Sequence, residues 1–288
     1  DGYGVSFKGV DYAKEAGVKL VIVLDCGVKA VNEIAYAKEL GIDFIVCDHH
    51  VQDDMLPPAV AILNPKLIGS DYPYPHLSGC GVGFKLMQAF AKDNGIEFSQ
   101  LIPYLDLVAV SIASDIVPIM GENRILAYHG LRQLNHNPST GLRAIIDVCG
   151  LHDKEIKIND VIFKIGPRIN ASGRIQTGKE AVDLLTEKDY KRALELSNQI
   201  NEYNEARKDL DKSMTVEANN IVDSLEDLAD KRSIVLYNED WHRGVIGIVA
   251  SRLTELFYRP SVVLTKTNDM ATGSARSVAD FDVYKAIE

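Results

Sequence analysis

The chain has 288 residues and a mass of 31.8 kDa, which is long enough for two domains, because single hydrophobic cores stop growing near about 250 residues. Its composition, 46% hydrophobic and 25% charged, is typical of a soluble globular protein, and no apolar run approaches the roughly 20 residues that cross a bilayer. The net charge of −10 argues against a protein that coats nucleic acid by bulk electrostatics, so any phosphate-binding site must be local.

The cysteines and the opening residues bear on the cellular compartment. Four cysteines occur without a C-x-x-C pair, most of them inside or beside apolar runs: Cys26, Cys47, Cys80 and Cys149. This pattern favours reduced, buried thiols over a disulfide framework. The opening "DGYGVSFKGVDYAKEAG" lacks the basic start and apolar segment of a secretory signal, so the sequence predicts a cytoplasmic protein with no membrane span.

An α/β region comes first in the chain. Two β-branched runs, "VKLVIVLDCG" (18–27) and "IDFIVCDHH" (42–50), flank a stretch that has apolar residues at helical spacing and ends on Gly41. This pattern is typical of a βαβ unit with a buried parallel sheet. "VDYAKEAG" predicts a helix before this unit, and "PAVAILNP" (58–65) predicts one more strand after it.

Helical patterns follow the first region. They occur in "GFKLMQAFAKDNG", "LIPYLDLVAVSIASDIVP", "NRILAYHGLRQLN" and "GLRAIIDVCG", and no strand signal interrupts them. Farther on, a polar stretch from Asp189 to about Leu225 contains no glycine or proline and predicts a helix of roughly 50 Å. Because this helix is too polar to lie inside a core, we expect it to connect two domains.

A second β-α-β pattern begins near residue 231, in "RSIVLYN", "GVIGIVASRLTELF" and "PSVVLTK". The predicted fold class is therefore α/β. We expect a parallel-sheet domain with a helical extension over residues 1–187, a long connecting helix over 188–230, and a second, smaller α/β domain over 231–288.

Polar side chains end two neighbouring strands of the predicted sheet. Asp25 follows the first strong strand, and Asp48, His49 and His50 follow the next. The carboxyl ends of parallel strands meet at one edge, so these groups are expected to lie together. Carboxylate with imidazole suits a divalent ion such as Mn²⁺, Fe²⁺ or Zn²⁺. Consecutive strand residues point to opposite faces, so we assign His49 as the ligand and His50 as a supporting or phosphate-contacting group.

A structural interpretation of the D-H-H triplet stays open. In it, Asp48 caps the next turn and the histidines pack as hydrogen-bonded loop residues. Two further acids lie within a largely apolar helix, where an unpaired carboxylate costs several kcal/mol. Asp115 is a candidate metal ligand, or else a helix C-terminal residue that is hydrogen-bonded ahead of Pro118. Asp106 is expected to serve the structure or to support the ligands.

Three further segments carry donors for phosphate. "GPRINASGR" predicts a short glycine-flanked loop, with arginine forks that match phosphate oxygens or pair with surface acids. "DWHRG" precedes a helix predicted to begin at Gly244, whose amides would form an anion site. The indole of Trp241 either stacks on a base or packs between domains. "GSARS" has small residues that admit a close phosphate approach. The candidate residues are Arg168, Asn170, Ser172, Arg174, His242, Arg243, Gly244, Gly273, Ser274 and Arg276.

The segment "GCGVGF" (79–84) has the glycine spacing of a dinucleotide fingerprint. It follows "YPYPHLS" rather than a strand, and no acidic ribose partner ends a following strand. We therefore expect a tight turn into a helix that begins near Phe84.

These motifs together resemble a known family. The strand ending "VLDCG", the strand end "CDHH", and the segments "SGCGVGFKL", "LDLVAVSIASDIVP" and "FKIGPRINASGR" resemble the DHH phosphoesterase superfamily and, within it, the bacterial RecJ single-strand-specific exonucleases. "DWHRGVIGIVASRL" and "GSARS" resemble the DHH-associated domain of that family. Residues 1–187 would then be the DHH catalytic domain and 231–288 the DHH-associated domain, each incomplete at its outer end.

The resemblance implies a role for each candidate residue. It implies a two-metal site, with Mn²⁺ or Mg²⁺, in which Asp25, His49 and Asp115 match family ligands. His50 would face the scissile phosphate, and Asp48 would support the histidines. The "PRINASGR" residues would serve catalysis. The serine and arginine of "GSARS" would contact the 5′-terminal phosphate. The family's D-Y-D-x-D-G and G-G-H motifs do not occur within these residues, so the implied two-metal site is incomplete here.

The implied activity is a metal-dependent 5′→3′ exonuclease that acts on single-stranded DNA and releases nucleoside 5′-monophosphates in DNA repair and recombination. A single-strand-binding protein and a helicase are possible partners, and the expected state is a monomer. One alternative is a DHH phosphodiesterase that acts on short oligonucleotides or cyclic dinucleotides. Another is an inactive DHH scaffold that binds DNA or protein.

Overall fold

The structure, a computed structural model, describes residues 4–225 and 230–287. The chain divides into two compact units, Asp1–Gly166 and Pro167–Glu288. The division falls ahead of the boundary predicted near residue 187, and the three predicted domain ranges stay a prediction. No helix in the described part of the chain is long and apolar enough to cross a membrane.

The described elements are twelve α-helices and six strands. In the first unit they are α1 (Phe7–Glu15), β1 (Leu20–Leu24), α2 (Val31–Glu39), β2 (Asp43–Cys47), β3 (Ala61–Leu63), α3 (Gly79–Asp93), α4 (Leu105–Ser114), α5 (Gly121–His136), α6 (Thr140–Val148) and the single turn α7 (Ile158–Asp160). In the second unit they are α8 (Gly166–Ile175), whose first residue ends the first unit, α9 (Lys179–Thr186), α10 (Tyr190–Asp223), β4 (Ile234–Tyr237), α11 (Ile246–Phe257), β5 (Ser261–Thr267), β6 (Met270–Arg276) and α12 (Val283–Ile287).

A parallel sheet of strand order β1-β2-β3 organises the first unit. In its register Leu24 pairs with Cys47, so β1 and β2 end side by side. The βαβ prediction is confirmed. One face of β2 packs with α1 and α2 through buried residues such as Phe44 and Val46. The predicted burial of both faces is wrong for β1, where the alternating side chains of Leu20, Ile22 and Leu24 on one face are 48%, 51% and 52% exposed.

The helix that follows β3 along the chain starts earlier than predicted. The segment "GCGVGF" is the first turn of α3 itself, with Ser78 as the N-cap, and not a turn that leads to Phe84. The side-chain oxygen of Ser78 accepts a hydrogen bond from the amide of Gly81 at 3.2 Å. This cap satisfies one of the free amides of the first turn and offsets the low helix propensity of the glycines.

The segment "GPRINASGR" is helical, so the predicted loop is wrong. A π-helical turn over Val161–Ile165 runs directly into α8. Pro167 is the second residue of α8 and directly follows the π-helical turn, so its missing amide hydrogen leaves one bond to the preceding turn unmade.

The long polar helix is present as α10, with 34 residues. Asp189 caps it by accepting a hydrogen bond from the Arg192 amide at 2.8 Å. The helix belongs to the second unit and packs against α9 and α11. Its buried positions, which include Met214 and Val222, join the core of the second sheet. Its role as a connector stays a prediction, and residues 226–229 of the predicted range lie outside the described residues.

The second sheet has the order β4-β5-β6, with β4 and β5 parallel and β6 antiparallel. The strand β6 was not predicted from the sequence. The turn between β5 and β6 contains Asn268 and Asp269, both with positive φ values of 49° and 60°. Two such residues form the tight hairpin turn that matches strand twist.

Asp106 has a structural role in the first unit. Its carboxylate is fully buried and accepts hydrogen bonds from the amides of Leu107 at 2.6 Å and Ser139 at 2.8 Å. The second bond ties the start of α4 to the residue before α6. Burial raises the pKa of Asp106, and these two amide donors partly oppose that effect.

We expect Asp106→Ala to destabilise the first unit by about 1–3 kcal/mol, because two partly buried amide donors lose their acceptor. Urea unfolding at pH 7 measures the change in the free energy of unfolding. Asp93→Ala, at the exposed end of α3, is the matched control and should change stability by less than about 0.5 kcal/mol. Equal stability of the two variants would contradict the assigned role.

Candidate metal and phosphate site

The ends of β1 and β2 bring Asp25 and His49 together. Asp25 follows the last residue of β1, and its amide donates to the Cys47 carbonyl at 2.9 Å, which extends the parallel ladder by one bond. Its φ of 66° places it in the left-handed region, where aspartate is tolerated better than most residues. The side chain thereby leaves the strand and reaches the carboxyl edge of the sheet, as strand topology predicts.

His49 lies at the centre of the site. Its Nε2 is 3.1 Å from Oδ1 of Asp25 and 3.4 Å from Oδ2 of Asp115. Its Nδ1 is 2.9 Å from the Leu77 carbonyl oxygen, which can only accept, so Nδ1 carries the hydrogen and Nε2 is left for a ligand. When the ring is protonated, Nε2 donates to Asp25; this hydrogen bond, opposed by burial and aided by the charge of Asp115, raises the pKa of His49.

Asp115 reaches the site from another element. It is the C-cap residue of α4, and its amide donates to Ser111. The structural interpretation of its backbone is therefore correct, yet its carboxylate also points to His49. Among the described residues, neither Asp25 nor Asp115 pairs with a lysine or arginine. Two carboxylates that converge on one imidazole without a cation are a donor set that a divalent ion fits.

The carboxylate of Asp48 fixes the loop that carries the histidines. It is 1% exposed and accepts hydrogen bonds from the amides of Val28, His49 and His50 and from Nδ1 of His50, at 2.7 to 3.1 Å. Burial alone would raise the pKa of Asp48, but these hydrogen bonds outweigh it and the pKa lies below its ordinary value. Asp48 is therefore an ionised acceptor inside the protein.

The role assigned to His50 stays a prediction, but one step of the reasoning behind it does not hold. Because β2 ends at Cys47, the alternation of strand faces does not apply to His49 and His50, and that part of the argument is wrong. The two rings meet edge to face at 4.7 Å between centroids. Asp25, His49 and His50 offer ligand atoms that all lie within 4.8 Å of one another. The Nδ1 of His50 is bound to Asp48, so its Nε2 is the nitrogen that remains available.

An open cleft of about 690 Å³ gives access to this edge of the sheet. The loop after β1 lines it, together with Asp48 and His50. Two thiols lie near Asp25 and stay protonated. Burial, then the charges of Asp48 and Asp25, raise the pKa of Cys26, and burial raises the pKa of Cys80 to about 11. Protonated thiols are poor metal ligands, so the site offers oxygen and nitrogen donors.

The candidates from "PRINASGR" lie on α8 in the second unit. Arg168 donates from Nε to Oδ1 of Asn201 at 2.9 Å, and the buried hydroxyl of Ser172 donates to Glu180 at 3.2 Å. Nη1 of Arg174 donates to the Gly244 carbonyl at 3.2 Å. Asn170 is exposed. The helix therefore holds these side chains on separate partners rather than in one phosphate loop.

A second cluster of candidates surrounds the start of α11. The helix begins at Ile246, two residues after the predicted Gly244, whose amide donates to Nδ1 of His242 at 3.1 Å. Ser274 and Arg276 lie on β6 and reach Gly247 in the first turn. Nε of Arg276 donates to Ser251 Oγ at 3.0 Å.

The other candidates of this cluster are fixed by packing. Gly273 is also on β6, pressed against Leu264 of the paired strand. Gly244 packs on the backbone of Arg174, and Arg243 is exposed beside it. Trp241 is 4% exposed, belongs to the core of the second unit and donates from Nε1 to Glu217 at 2.8 Å. Trp241 therefore packs inside the second unit, and its burial argues against stacking on a base; packing between domains stays a prediction.

Sequence reasoning missed the groups that hold the site in place. The carbonyl of Leu77 and the amide of Val28 carry no side-chain signature, although they orient His49 and Asp48. Asn64 was also missed; its side-chain amide donates to the His50 carbonyl at 2.8 Å. Its position directly after β3, at the same sheet edge, was the one signal that could have found it.

Comparisons with known proteins agree with this geometry. The profile of the DHH family, N-terminal domain, matches residues 5–112, which include the first sheet, Asp25 and the D-H-H triplet. RecJ of Bacillus subtilis, a single-stranded-DNA-specific exonuclease, is 38% identical over 289 aligned positions that cover 100% of this chain and 36% of that protein.

Two crystal structures share the fold. RecJ from Thermus thermophilus in complex with Mn²⁺ matches with a TM-score of 0.85 and 29% identity, over 98% of this chain and 41% of that one. An exonuclease RecJ bound to manganese matches with a TM-score of 0.82 and 30% identity, over 100% of this chain and 70% of that one. The chain belongs to the RecJ family. It spans between 36% and 52% of the length of the curated relatives it matches.

Asp48→Asn should destabilise the protein, because a carboxamide has one acceptor oxygen and leaves at least one buried amide donor unsatisfied, at about 1–3 kcal/mol. The lowered pKa of Asp48 stabilises the fold above the unfolded value near 3.8, and this contribution disappears as the pH falls through the folded value. Urea unfolding at pH 7 and at pH 3 checks both points. If the wild type and Asp48→Asn differ in free energy of unfolding by as much at pH 3 as at pH 7, the stabilising role of the Asp48 charge is contradicted.

Proposed function

We propose that this protein is a metal-dependent exonuclease that acts on single-stranded DNA from the 5′ end and releases nucleoside 5′-monophosphates. The observation that carries the proposal is the convergence of Asp25 and Asp115 on Nε2 of His49, at 3.1 and 3.4 Å, beside an open cleft. The activity named for the RecJ relatives supports it. DNA repair and recombination are the processes that use such an activity.

The residues at the strand ends fit a divalent cation. Asp25, His49 and Asp115 would hold it, and one imidazole nitrogen with carboxylate oxygens suits Mn²⁺ more than Mg²⁺, although RecJ from Thermus thermophilus forms complexes with both ions. A cation bound there would activate water for attack on phosphorus and stabilise the charge of the departing oxygen. The neighbouring residues Asp48 and His50 would complete the site.

Asp48 and His50 would orient and bind the substrate. The Asp48 carboxylate accepts from Nδ1 of His50, so the proton stays on that nitrogen and Nε2 is left available on a residue that lines the cleft. A neutral Nε2 accepts a hydrogen bond, and a protonated ring donates one to a phosphate oxygen. His50 is therefore suited to contact the scissile phosphate, with 57% of its side chain exposed.

In the second unit, the start of α11 supplies a site for a terminal phosphate. Amides of the first helical turn, the hydroxyl of Ser274 and the guanidinium of Arg276 lie together around Gly247. Such an arrangement favours a dianion. Arg168, Asn170, Ser172 and Arg174 on α8 are proposed to assist catalysis, on the resemblance of their motif.

The expected partners follow from the substrate. A nuclease for single strands depends on a helicase to open duplex DNA and meets a single-strand-binding protein on its substrate. We propose that the protein works with both partners, is a monomer and is located in the cytoplasm. Free thiols at all four cysteines support the location, since reduced cysteines are usual there.

Incubation with labelled DNA and Mn²⁺ tests the activity. We expect labelled mononucleotide from 5′-labelled single strands and none from blunt duplex, with at least about a thousandfold loss in His49→Ala because the metal ligands act as a unit. His152→Ala, an exposed histidine paired with Asp153, is the matched control and should keep full activity. Binding without release would support the inactive scaffold, and cleavage confined to di- or trinucleotides would support the oligonucleotide phosphodiesterase.

Arg276→Ala tests the terminal phosphate site. We expect it to lower the preference for a 5′-phosphate over a 5′-hydroxyl by about 10–100-fold, because one charge-assisted hydrogen bond is lost, with the change mainly in KM. The preference is measured as the ratio of kcat/KM for the two DNA ends. Arg232→Ala, an exposed arginine before β4, serves as the control. An unchanged ratio in Arg276→Ala would place the terminal phosphate elsewhere.

A further inference from the structure

Gly79, the first residue of α3, lies directly against Asp25. A methyl group added at Gly79 would overlap Oδ1 and Cγ of Asp25 and would lie 2.5 Å from its Cβ. Contacts this short do not occur between real side chains. Rotation of the Asp25 side chain moves the carboxylate but leaves Cβ in place, so rotation alone does not relieve the overlap.

Both sides of this contact are tied to His49. On one side, the Asp25 amide donates to the Cys47 carbonyl at 2.9 Å, two residues ahead of His49. On the other side, the chain just before α3 supplies the Leu77 carbonyl that lies 2.9 Å from Nδ1 of His49. The Ser78 cap holds that turn against the helix. A shift of either side therefore changes the geometry between Asp25 and His49.

We propose that Gly79 is a positioning residue for Asp25: the missing side chain at the start of α3 is what allows the Asp25 carboxylate to reach Nε2 of His49. This inference rests on the proposed function in so far as that carboxylate is a metal ligand. The proposal gives the "SGCGVGF" segment a role in positioning a metal ligand. A tight turn or a dinucleotide-binding site would not have that role.

A glycine in the first turn of another helix provides a control. A methyl group added at Gly9 of α1 meets only Ser6 Oγ, at 3.4 Å, which is an ordinary contact distance. Gly9 and Gly79 each lie in the first turn of a helix, so alanine raises helix propensity at both. A comparison of the two alanine variants therefore isolates the contact with Asp25.

Mn²⁺ titration calorimetry on the purified protein is the first measurement. We expect Gly79→Ala to weaken Mn²⁺ binding by at least about tenfold, which is the usual cost when a group that orients a ligand is changed. Gly9→Ala should stay within about twofold of the wild type. Equal Mn²⁺ affinity of Gly79→Ala and the wild type would overturn the proposal.

A melting-temperature cycle tests the contact without metal. Gly79→Ala should lower the melting temperature by about 3 °C or more, whereas in an Asp25→Gly background, where the opposing side chain is gone and glycine suits the positive φ, the same change should cost nothing. An equal loss in both backgrounds would overturn the proposal. If the wild type binds no Mn²⁺, the proposed function loses its metal site, and this cycle still decides the role of Gly79.

Discussion

The buried carboxylate of Asp48 is the interaction on which the site depends. Its hydrogen bonds connect the loop after β1, through Val28, to the loop after β2, through His49 and His50. A parallel sheet aligns the ends of its strands but does not fix the loops that follow them. In this chain one ionised side chain supplies the acceptors that the loop amides need, and the two imidazoles acquire defined positions as a result.

Around that anchor, the donors at the sheet edge come from four separate parts of the first unit. Asp25 follows β1, His49 follows β2, Asp115 ends α4, and Leu77 precedes α3. The amide of Asp25 donates to Cys47, that of His49 to Asp48 and that of Asp115 to Ser111, so contacts within the chain fix these donors. Preorganisation of this kind is what makes electrostatic stabilisation effective in a reaction that spreads charge over phosphate oxygens.

Much of the fold around the site followed from local pattern, because β-branched runs and helical spacing are properties of neighbouring residues. The three strands of the first sheet and the 34-residue helix α10 are of this kind. The nearness of Asp25 to His49 also followed, since strand ends converge in any parallel sheet. The misassigned or missed elements depended on the element directly before them rather than on their own residue pattern. The helix α8 continues a π-helical turn, and β6 exists because it pairs with β5.

The backbone conformation of Asp25 has a consequence for the residue that can stand there. A φ of 66° favours glycine, asparagine and aspartate over other residues, and of these only aspartate carries a charge. The longer glutamate would meet both a conformational penalty and the surface of Gly79. At this position the backbone conformation and the chemistry of metal ligation therefore favour the same side chain. The positive φ alone already restricts the choice to a few residues, and aspartate is the acid among them.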